Sequence, residues 1–170
     1  TSYDPLGSLK ITLKQFPQHD EQKNPCPIWE MPNISETRDL TSLGYVVTES
    51  RKEWEDQILA LSQIIVEGLN TSYINKLADA KGCRDKELAS IKQLGKILES
   101  VLISQEDVKI IINPLNELWR LRSAIVAHHG GKPPKDDLRI HFRELLTNCD
   151  SAMEKLAEFV KSGFLVQKGD

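Results

Sequence analysis

The 170-residue chain has no CxxC pair, no apolar run approaching a membrane span, no charged-then-apolar leader and no excess of basic residues. Each absence removes a class of function. Its three cysteines, Cys26, Cys83 and Cys149, are odd in number and far apart, which argues against a disulfide framework or zinc knuckle and for a reducing compartment. The longest apolar stretches, such as VKIIINPL, fall far short of the roughly 20 residues a spanning helix needs, so a cytoplasmic protein without membrane contact is expected. With 22 basic against 25 acidic residues the chain is mildly acidic, and taken whole it is not built like a nucleic-acid binder. HxxxH and HExxH spacings are also missing. AHHG with His141 or Asp136 is a poor metal set, and no metal or cofactor is expected.

What is present fits one globular domain of ordinary size, with 39% hydrophobic and 28% charged residues. Because the chain opens on Thr1 and not Met, we expect a fragment or processed form with an upstream domain outside it.

The character changes near residue 48. Residues 1–48 hold five of the eight prolines, a spacing that leaves no room for a helix of normal length, so this segment is read as an extended arm. LKITLK, residues 9–14, alternates apolar and polar positions and predicts a short strand, with YVV at 45–47 as a weaker second. Ile28, Trp29 and Tyr45 are expected to anchor the arm on a neighbouring surface.

From residue 49 to 170 the helical period takes over and predicts an all-α fold, an up-and-down antiparallel bundle of four to five helices. Trp54, Ile58, Leu61, Ile65 and Leu69 share one face of a first helix opened by a capping box of Ser50 and Glu53. Thr71 or Ser72 is expected to cap a short second helix that stops at Gly82. A third is expected from Lys86 to Leu102. A fourth starts at Ser104 and meets Pro114, where a kink or a restart capped by Asn113 is expected. The last runs from Leu138 to about Gly163.

One stretch, WRLRSAIVAHHGG at 119–131, carries the chemistry. At about 100° per residue, Leu115, Leu118, Trp119, Ile125 and Val126 all lie within about 60° of Arg122, which puts a guanidinium in the middle of an apolar stripe. Arg120 points to the opposite side. A charge on a buried face must be paired or line a wet cleft. His129 falls about 20° from Arg122 on the same construction and His128 about 120° away. Alone, such an arginine is usually a snorkelling or salt-bridged structural residue, and such a histidine a partner for the helix dipole. Their coincidence before a glycine pair points to a site.

LRSAIVAHHG resembles the arginine, four to six residues, histidine motif of the HEPN superfamily, whose members include toxins and RNA-directed defence effectors. The resemblance covers residues 49–163 as a bundle and ten residues as a motif. It implies an up-and-down helical bundle, a homodimer that brings two motifs together, a metal-independent endoribonuclease, a hydrolase acting on single-stranded RNA, and an antitoxin-like partner. Arg122, His128, His129 and Ser123 would then be its catalytic set. Ser123 stands where the family often has asparagine, and the gap to His128 is five residues and to His129 six, against a commonest gap of four. The AH ending favours His128 and the wheel favours His129; we lean to His128 and keep both. Inactive members of the family act as dimerisation or binding modules, which is the alternative.

Arg120, Lys132, Lys135, Arg139 and Arg143 add a local basic stretch around Arg122, opposed by Asp136 and Asp137 in an otherwise acidic chain. They are the expected RNA-binding residues. The 2′-hydroxyl of RNA is a nucleophile beside its own phosphodiester, so a proton-shuttling histidine and a cation suffice for cleavage.

Overall fold

Asp4 and Pro5 open the first element. In the computed structural model, which describes residues 3–18, 28–31, 40–101, 104–128 and 137–163, Asp4 caps a helix α1 over Pro5–Gln15 and accepts the Gly7 N–H at 3.0 Å. Pro5 occupies the first turn, where its missing N–H costs nothing. The strand expected at 9–14 is thus corrected to helix, and so is the reading of residues 5–15 as part of an extended arm. Leu9 and Leu13 do alternate with Ile11, but they are also four apart, and with Phe16 they form a buried helical stripe while Ile11 is exposed. The stretch between Pro5 and Pro17 is long enough for three helical turns.

Tertiary contacts decide the matter. Asp150 on the last helix is buried and accepts three hydroxyls, from Tyr3 at 2.6 Å, Ser8 at 2.5 Å and Thr12 at 2.6 Å. Further along, Ile28 and Trp29 are buried as expected of anchors; the Trp29 indole N–H reaches the carbonyls of Ile64 and Ile65 at 3.2 and 3.1 Å, at a helix end whose last carbonyls lack helical partners. Phe16 packs edge-on against Trp29 at 5.1 Å. Tyr45 is half-buried, its hydroxyl accepting from the Leu6 N–H and bonded to Asp4. YVV forms no strand; Val46 is buried and Val47 exposed.

Helix α2, Arg51–Ile65, starts at Ser50, whose hydroxyl accepts the Glu53 N–H at 3.3 Å. The Glu53 carboxylate takes the Thr48 N–H at 3.1 Å, so the box closes further out than Ser50 itself. Helix α3, Thr71–Ala80, is capped by Asn70 and not by Thr71 or Ser72. Helix α4, Ser90–Ser100, is shorter than expected, because the buried Gln93 amide holds the preceding loop by bonds to Cys83 O and the Asp85 N–H. Helix α5, Gln105–His128, runs through Pro114 without restarting. The lost backbone bond costs about 3 kcal/mol or more. It is offset by buried residues on both sides, Val108, Ile111 and Ile112 before and Leu115, Leu118 and Leu121 after. Helix α6, Leu138–Ser162, starts at Asp137 and ends on Gly163 at φ 80°, the left-handed stop a glycine supplies.

The fold is an all-α helical bundle, with six α-helices among the described residues and α1 as the one the sequence did not suggest. Helix α6 packs on α1, α2 and α5; α5 also packs on α2 and α4; α3 packs on α4. No described helix is long and apolar enough to cross a membrane.

Candidate functional site

Ile111, Leu115 and Leu118 lie on the same side of α5 as Arg122 and are fully buried. The wheel therefore has the face right, but the burial is corrected. Past Leu118 that face leaves the bundle: Trp119 is 44% and Val126 56% exposed, and the Arg122 side chain keeps 30% of its surface. The reason is local. Arg122 lies beside the residues that follow α2, where no helix continues to cover it.

Two contacts hold the guanidinium. It sits 5.0 Å over the Trp119 ring, and Nη2 donates to Glu67 Oε1 at 3.5 Å. That length is at the limit of a hydrogen bond, and Glu67 is itself half-exposed. Arg122 is consequently a loosely paired cation at a surface, able to change partners at small cost.

Trp119 and Glu67 also border a cleft of about 560 Å³ between the end of α2, the starts of α3 and α4, and one side of α5. Leu88, Ile91 and Asn116 contribute to its walls. Across it the hydroxyls of Thr71 and Ser90 join α3 to α4 at 2.8 Å.

Helix α5 continues from Arg122 through Ser123, which is half-buried, to His128. Six residues of helix rise about 9 Å and turn about 120° from the starting face. His129, Lys132 and Lys135 lie outside the described residues, as does the His128 side chain.

The described arginines of the expected RNA-binding set are each engaged within the chain. Arg120 forms a two-bond pair with Glu117, at 2.5 and 3.0 Å, which lowers the Glu117 carboxyl pKa and raises that of Arg120. Arg139 pairs with Asp137 at 2.7 Å and reaches Glu49 at 3.6 Å. The bonds from Arg139 hold the Asp137 carboxyl down to about 2. Arg143 donates to Tyr3 O at 2.6 Å and lies 5.4 Å over the Tyr45 ring. Occupied cations are less available to phosphate, which concentrates the case for a site on Arg122.

Among the described residues, no group of three His, Cys, Asp or Glu side chains is placed to hold a metal ion. His141, the candidate ligand on α6, takes the Trp54 indole N–H on Nδ1. Sequence reasoning missed Glu67 and the Trp119 platform. Nothing local in the sequence ties Glu67 to Arg122, 55 residues away. No family model, curated protein or solved structure matches the chain.

Proposed function

We propose that the chain is a HEPN-like, metal-independent endoribonuclease module of a cytoplasmic toxin or defence system, acting on single-stranded RNA as a homodimer. The observation that carries this reading is Arg122, a half-buried cation with one long carboxylate contact, stacked on an exposed tryptophan at the mouth of a cleft. Arg120, by contrast, is tied to Glu117 by two short bonds.

Within one chain Arg122 and His128 lie on different sides of α5, about 120° apart. A two-fold axis beside the helix end supplies the missing half, since it sets the arginine of one copy against the histidine of the other. In such a site the histidine removes the 2′-hydroxyl proton, the oxygen attacks the adjacent phosphorus as the P–O5′ bond breaks, and the leaving 5′-oxygen takes that proton back from the imidazolium, leaving a 2′,3′-cyclic phosphate. Arg122 exchanges Glu67 for the phosphorane oxygens, and Ser123 orients the histidine or holds a phosphate oxygen. DNA lacks the attacking hydroxyl.

The test is cleavage of single-stranded RNA in EDTA, with Arg122→Ala abolishing it while helicity is kept. His128→Ala and His129→Ala, made separately, identify the imidazole, because loss of a general base costs about 10² to 10⁴-fold. Arg120→Ala is the charge control. A specific observation favours a second reading: Trp119 and Val126 expose apolar surface on the helix that carries Arg122, as a non-catalytic dimerisation or docking module requires. RNA left uncut by a purified dimer selects that reading.

A further inference from the structure

We infer that the cleft beside Arg122 is a binding pocket for an unpaired guanine base. This rests on reading the Arg122 region as an RNA site, though not on its being catalytic. Three features of the cleft support it together. Its volume, about 560 Å³, suits a small planar ligand. Its walls combine apolar side chains, Leu88 and Ile91, with the half-exposed Trp119 indole, the platform on which unstacked bases are held. The ring is also where the Arg122 guanidinium lies, so a base entering the cleft brings its own phosphodiester towards that cation.

The charge of the rim decides which base. Glu67, Glu87 and Lys92 border the cleft; Glu67 is engaged with Arg122, and the Lys92 ammonium only donates, which suits the O6 acceptor of guanine beside its two donors. Glu87 is the remaining carboxylate, on a loop fixed by its own N–H, which bonds to Asp85 Oδ1 at 3.0 Å. An ionised carboxylate only accepts. Guanine alone offers it two adjacent donors, N1–H and the 2-amino group, on its Watson–Crick edge. Adenine and cytosine offer an amino group next to a ring acceptor, and uracil one N–H between two carbonyls.

The probe is guanosine 3′-monophosphate, titrated into the full chain by calorimetry and tryptophan fluorescence. Trp29 and Trp54 are buried, so quenching by a stacked base reports Trp119. The expected result is binding with quenching at a Kd below about 1 mM, with adenosine, cytidine and uridine 3′-monophosphates on the order of tenfold weaker or more. Trp119→Ala is expected to weaken binding on the order of ten- to a hundredfold. Glu87→Gln, at an exposed loop position that leaves the fold intact, removes the guanine preference and leaves adenosine 3′-monophosphate unchanged. Equal affinities for the four nucleotides, no binding of any, or an unaltered preference in Glu87→Gln overturns the inference. Cleavage is scored separately. RNA cleaved while the four nucleotides bind without preference overturns the guanine pocket and leaves the nuclease standing, whereas guanine-selective binding without any cleavage supports the pocket and removes the nuclease.

Discussion

The indole N–H of Trp54 on α2 donates to Nδ1 of His141 on α6 at 3.1 Å, with the two rings 5.6 Å apart. Because Nδ1 accepts, the neutral imidazole must carry its proton on Nε2. Long-range proton–nitrogen spectra are expected to report that tautomer for His141, and an Nδ1–H tautomer would refute the contact. Trp54→Phe removes the donor and part of the ring, and is expected to cost about 2 kcal/mol in urea denaturation.

Asp150 predicts a graded loss. Asp150→Ala strips a buried acceptor from three hydroxyls and is expected to destabilise the chain by about 3 kcal/mol. Asp150→Asn, whose amide keeps one acceptor, should cost less, and Thr12→Val least. Limited proteolysis within α1 is expected to follow the same order. Equal stability of the alanine variant and the wild type would show that the hydroxyl cluster does not hold α1.

Gly68 sits where a side chain has no room. A Cβ there would collide with Trp29 Nε1 and lie 2.7 Å from Glu30 O and 2.8 Å from Ile64 O, and two of those three atoms are backbone. Gly68→Ala is expected to cost about 1–3 kcal/mol and to shift tryptophan emission to the red as Trp29 is displaced. An unshifted spectrum at unchanged stability contradicts this.

Acid sensitivity is expected at the start of α6. Arg139 holds the Asp137 carboxyl at about 2, below its ordinary 3.8. A carboxyl depressed in the folded state stabilises it above the unfolded value, and that contribution fades as pH falls from about 4 towards 2. Asp137→Asn keeps an N-cap oxygen but not the charge. Its thermal midpoint should therefore fall less steeply over that interval than the wild type's, and parallel curves would exclude the effect.

The elements with strong end signals were legible: Ser50 before α2 with Glu53 in its first turn, Ser104 before α5, and Gly163 after α6 all stand where the caps and stripes put them. Three failures have physical causes. LKITLK satisfies a two-residue and a four-residue period at once, and six residues cannot separate them. Pro114 obeys a local rule that packing on both sides of it overrides. The α4 start moved because Gln93, a side chain without hydrophobic signal, ties down the loop before it. At the candidate site the wheel found the face of Arg122 but not its exposure, since where neighbouring helices end is no property of α5 itself. The Arg122 partner is equally non-local.

The bonds from Tyr3, Ser8 and Thr12 to Asp150 span 147, 142 and 138 residues. At a synthesis rate of roughly 5–20 residues per second, α1 leaves the ribosome on the order of ten seconds before α6 exists. Alone, an 11-residue helix is marginal in water, and through that interval Leu9 and Leu13 lack the α6 surface that α1 packs on. The segment that reads equally well as strand or helix thus has its structure decided last, when the final helix arrives. Until then its apolar stripe is open to a chaperone.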